Sequence, residues 1–76
     1  MTAPKKRSVT LAGHRTSLSL EEEFWEILRQ LADEQGRSVT SLLTEIDAAR
    51  GKRNFSSAVR VYVLEQMIRH SPYAAD

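Results

Sequence analysis

The chain has 76 residues, a net charge of +1 and no cysteine, which leaves room for one small domain and excludes both disulfides and thiolate metal sites. No stretch approaches the ~20 apolar residues of a membrane span. The basic start, MTAPKKRSVTLAG, has no apolar run of signal-peptide length behind it, so a soluble cytoplasmic protein is expected. A chain this short buries only about 60% of its unfolded surface, so association with further copies is the expected source of additional core.

Charge is unevenly spread. Residues 1–19 carry Lys5, Lys6, Arg7 and Arg15 and no acid. Residues 20–35 carry six acids against Arg29, and residues 36–60 are basic again. A polyanion is a candidate partner if folding joins the two basic parts; a solvated mixed surface with a disordered basic end is the plainer reading.

Residues 1–7 are small, Pro-containing and basic, and read as a disordered arm. Residues 8–50 read as the main domain and 54–70 as an additional helix on it. SVTLA, Ser8 to Ala12, has weak strand character, and Gly13 then marks a bulge or a turn. One long bulged strand and a short strand folding back are both open. From Arg15 to Leu20, polar Arg15, Ser17 and Ser19 alternate with Thr16, Leu18 and Leu20, the pattern of a strand with one buried face.

Helical spacing begins at Leu20 and continues through Phe24, Ile27, Leu28 and Leu31. Ser19 with Glu22 fits a capping box, three glutamates complement the helix dipole, and Gly36 is a stop. Trp25 sits off the stripe, where it widens the buried face or meets another subunit. A second helix starts after Ser38 as N-cap, carries Val39, Leu42, Leu43 and Ile46, and ends near Arg50 before Gly51. Asn54 or Ser56 caps a third, running to about His70. Its apolar residues cover more than one face, as for a helix covered by a partner.

Catalysis has little to stand on. His14 and His70 lie near opposite ends of the chain, and neither has a metal ligand at helical spacing. There is no nucleophile elbow, no Ser-His-Asp arrangement and no glycine-rich phosphate loop. The glutamates at the first helix start read as solvated charges. No enzyme activity, cofactor or metal is expected.

The segment RTSLSLEEEFWEILRQLADEQGRSVTSLLTEI resembles the ribbon-helix-helix DNA-binding domains, the group of the Arc and MetJ repressors. The helix stop and restart in EQGRSVTSLL is its most specific part. KRSVTLAGHRTSLSLE followed by NFSSAVRVYVL looks like a small bacterial subfamily with an extra C-terminal helix. The resemblance implies a mainly α fold: a homodimer or tetramer whose strands pair between subunits into a two-stranded antiparallel ribbon, with a third helix added. It implies a transcriptional regulator that places the ribbon in the major groove of double-stranded DNA. Arg15, Ser17 and Ser19 would meet base edges. Arg37, Ser38, Val39 and Thr40, with the arm residues Lys5, Lys6 and Arg7, would meet phosphates. An antitoxin or adaptor with a protein partner at the C-terminal helix is the alternative. This sequence departs from many members in having two short serines on the ribbon, a low net charge and the third helix.

Overall fold

The computed structural model describes residues 3–70. Two strands, β1 (Lys5–Leu11) and β2 (His14–Leu20), are followed by three helices, α1 (Glu22–Glu34), α2 (Val39–Ala49) and α3 (Phe55–Arg69). The mainly α architecture with a two-stranded antiparallel ribbon and a third helix is as the sequence implies.

The ribbon's second strand differs from the expectation. β1 folds back on β2 within the one chain, with Leu11 opposite His14, Val9 opposite Thr16 and Arg7 opposite Leu18. Of the two readings left open around Gly13, the fold-back strand is the one that forms. Ala12 (φ 50°) and Gly13 (φ 84°) make the reversal, and positive φ at both central residues is the mark of the type I′ hairpin turn, whose twist matches that of its strands. A strand tethered across two residues meets its mate at far higher effective concentration than a free copy does. The expected disordered arm is corrected by the same pairing: Lys5, Lys6 and Arg7 belong to β1. Residues 1 and 2 of that arm lie outside the described residues.

One face of the hairpin rests on the helices. Leu11, Leu18 and Leu20 are buried with Trp25, Leu28 and Leu31 of α1, Leu42, Leu43 and Ile46 of α2, and Phe55, Val59 and Val63 of α3. Each of these side chains contributes about 1.5–3 kcal/mol when fully buried. The third helix therefore shares the core of the ribbon and the first two helices. A lone two-stranded ribbon is marginal in water, and this packing is what holds it.

The helix ends follow local chemistry, with one correction. The capping box expected at Ser19 does not form: Ser19 stays in β2, and α1 starts after Glu21, whose side chain makes no cap bond. Strand geometry runs on because it buries Leu20 completely. At the other end of α1, the Gly36 amide donates to Asp33 O and the Arg37 amide to Ala32 O, with Gly36 at φ 66°. That is the paired bonding of a left-handed helix stop. Ser38 Oγ accepts from the Ser41 amide and starts α2, and Asn54 Oδ1 accepts from the Ser57 amide and starts α3. Trp25 widens the buried face of α1, and the Arg7 guanidinium lies 4.8 Å above its ring.

Candidate nucleic-acid interface

Directly opposed residues of an antiparallel pair project to the same side. The register thus gives the hairpin an outer face with Lys6 beside Ser19, Ser8 beside Ser17, and Thr10 beside Arg15. Ser19 is half-buried and the other five are exposed. The face has two cations, four hydroxyls, no acid and no large apolar side chain. It lies on two strands about 4.8 Å apart, a width that the roughly 12 Å major groove of B-DNA admits.

Of the residues expected at such an interface, the fold brings Arg15, Ser17 and Ser19 together along the outer face of β2. Lys6 joins them from β1. Arg7 does not: opposite Leu18, it faces the helices, where it stacks on Trp25 and pairs with Glu22 at 3.4 Å. Lys5, opposite buried Leu20, is also on the inner side but exposed at its rim. His14, on that same side, is exposed at the turn.

The start of α2 has the expected form. Ser38 Oγ takes the Ser41 amide and Ser38 O takes the Leu42 amide. Val39 and Thr40 occupy the first helical turn, where backbone amides have no partner within the helix. Arg37 is held close by: its guanidinium donates to Ser41 Oγ and Ser41 O at 3.0 Å and pairs with Glu45.

Sequence reasoning missed two features. Lys6, Ser8 and Thr10 alternate with Arg7, Val9 and Leu11, a strand pattern hidden by the assignment of the first seven residues to an arm. The other is the closure of the free edge of β2. The Ser19 amide donates to Ser56 Oγ at 3.0 Å, and Ser19 O accepts from Arg60 Nη2 at 2.9 Å. Arg60 Nε is in turn 3.2 Å from Glu21 Oε1. Side chains of α3 thus complete the hydrogen bonds of a strand residue far away in sequence, and no local signal announces it.

Among the described residues, no group of three or more His, Cys, Asp or Glu stands together as a metal site would require, and no helix is long and apolar enough to cross a membrane.

A family profile described as "Ribbon-helix-helix domain" matches residues 4–67. Among solved structures, the chain is similar to an uncharacterized protein from Bordetella pertussis Tohama I, at 31% identity and a TM-score of 0.71. The match covers 90% of this chain and 59% of that one, so the chain spans little more than half the length of its structural neighbour. No curated protein matches the chain.

Proposed function

Because the chain belongs to the ribbon-helix-helix family, whose members are typically DNA-binding regulators or antitoxins, we propose that it is a sequence-specific DNA-binding regulator of a bacterial cytoplasm. In this reading it acts as a dimer or higher oligomer, places its ribbon in the major groove and carries out no catalysis. The observation that carries the reading is the outer face of the hairpin, which is all polar, cationic at both ends and of groove width. Arg15 offers a planar fork for guanine, and Ser17 and Ser19 donate or accept at either kind of base pair. The amides of Ser38, Val39 and Thr40, with Lys5 and the Arg37 guanidinium, hold phosphates and set the position of the ribbon. Arg37 makes that contact by exchanging Glu45 for a phosphate oxygen.

The test is selection from a pool of randomised duplexes, followed by titration of the enriched duplex at several salt concentrations. Wild type should enrich one sequence, and Arg15→Ala should bind it no better than an unrelated duplex. Failure of the wild-type chain to enrich any duplex overturns the reading.

One observation favours a second reading, in which the domain is an antitoxin or adaptor. Leu64, Met67 and Ile68 are exposed by 57%, 41% and 52% along the outward side of α3. A row of large apolar residues on a helix suits a protein partner. Under this reading the row, and not the ribbon, carries the specific contact.

A further inference from the structure

We propose that the groove between α1 and α3 docks a basic amphipathic helix of another protein. This rests on the protein-partner reading above, and adds the full extent of the site and the chemistry of its occupant.

The site is larger than the row on α3. One cleft lies between Phe24 of α1 and Val61, Leu64 and Met67 of α3. A second runs on from Met67 past Ile27 and Leu31 to Glu34 and His70. Met67 lines both, so the two clefts make one continuous groove. From Phe24 to Glu34 it is about 15 Å long at 1.5 Å per residue, which matches roughly three turns of an incoming helix.

Among the described residues, Leu64, Met67 and Ile68 are the large apolar side chains left exposed. Their spacing of three and four residues puts them on one side of α3. Half-buried Phe24 and Ile27 continue the apolar surface onto α1. Exposed apolar surface is thus gathered in one place, as at a protein contact, rather than scattered. A groove lined in this way suits a helix whose apolar anchors recur at i, i+3 or i+4, and i+7.

Charge selects the occupant. Glu23, Ile27, Gln30 and Glu34 follow one another at intervals of four, three and four residues, one stripe along α1, and Glu26 lies beside it. The α1 border of the groove is therefore acidic. Arg29, the cation of α1, stands on another side of the helix and pairs with Glu22. On α3, Glu65 lies beyond Leu64 on the opposite border. Arg60, at the Phe24 end, is committed to Ser19 O and Glu21. An incoming helix with Lys or Arg on both flanks of its apolar face meets carboxylates on either side. A second copy of this chain does not supply that pattern. The row it would bring is flanked by Glu65 and the committed Arg60, and its Arg69 falls about 140° around the helix from Leu64.

The test uses the full chain and two synthetic peptides of about 18 residues, long enough to hold a helix in water. Both carry leucine at the anchor positions; one has lysine and the other glutamate on the flanks of that face. Fluorescence anisotropy of the labelled peptides reads binding at low and high salt. The lysine peptide should bind at least about tenfold more tightly than the glutamate peptide, and salt should shrink the difference. Leu64→Glu with Ile68→Glu should remove the binding. Glu26→Lys with Glu34→Lys changes exposed residues alone and should reverse the preference, so the charge test stands whatever the apolar variant does to folding.

If the two peptides bind alike and Leu64→Glu with Ile68→Glu abolishes both, charge does not choose the occupant. The inference is then overturned while the protein-partner reading stands. If the apolar variant, folded by circular dichroism, still binds the lysine peptide as wild type does, the row is not the contact and both fall. If neither peptide binds wild type, the inference is overturned, and an oligomer in sedimentation that the apolar variant dissociates identifies a second copy as the occupant.

Discussion

Arg60 of α3 donates from Nη2 to the carbonyl oxygen of Ser19 in β2 at 2.9 Å, across 41 residues of sequence. The same guanidinium pairs with Glu21 just before α1, so one side chain ties the ribbon edge, the start of α1 and α3 together. A bond from a charged donor to a half-buried carbonyl contributes more than a neutral one, but Arg60 keeps a third of its side chain in solvent. Arg60→Met keeps the apolar stem, and should lower the unfolding free energy by about 1 kcal/mol. Urea unfolding followed by tryptophan fluorescence measures it; an unchanged midpoint would mean that water replaces the guanidinium at Ser19 O without loss.

Ala12 sits at φ 50° in the hairpin turn, where a Cβ is unfavourable and where asparagine is the preferred partner of a following glycine. Ala12→Asn should therefore raise stability, by about 0.5–1 kcal/mol. Gly13→Ala, at φ 84° with open space around the new Cβ, should lower it by about 1 kcal/mol through backbone strain alone. The opposite signs at adjacent positions, read from urea midpoints, check the turn type.

Trp25 is 5% exposed, and among the described residues its buried Nε1 has no hydrogen-bond partner. Phenylalanine removes that unpaired donor and keeps most of the ring under Arg7. Trp25→Phe should cost less than about 1.5 kcal/mol, whereas Trp25→Ala leaves a cavity and should cost about 3–5 kcal/mol. Circular dichroism in urea serves for both, since the fluorophore is lost.

Leu64 and Ile68 lie on the outward side of α3, away from the core built by Phe55, Ala58, Val59 and Val63. Substituting both, Leu64→Glu with Ile68→Glu, should leave the fold within about 0.5 kcal/mol per site. If this row is where copies meet, sedimentation should shift from an oligomer to a single chain. Unchanged sedimentation would place the contact elsewhere.

Much of this architecture is determined by the amino-acid sequence on its own. Alternation from Arg15 to Leu20, the helical stripes, the glycine stop at Gly36, and the caps at Ser38 and Asn54 are local devices, and local devices act through neighbours a few residues away. The outward row Arg15, Ser17 and Ser19 follows from the same alternation. Three matters were decided only by tertiary structure. The mate of β2 is β1 of the same chain, reached through the two-residue turn at Ala12 and Gly13, and the basic composition of residues 1–7 hid that strand. The inward turn of Arg7 depends on the ring of Trp25, which is brought beneath it only when α1 packs on the ribbon. The start of α1 moved past Ser19 because burying Leu20 and joining Ser19 to Ser56 and Arg60 outweighed a local cap. Each of these is a competition between a short-range preference and a contact made across the fold, and the long-range contact exists only once the chain has folded.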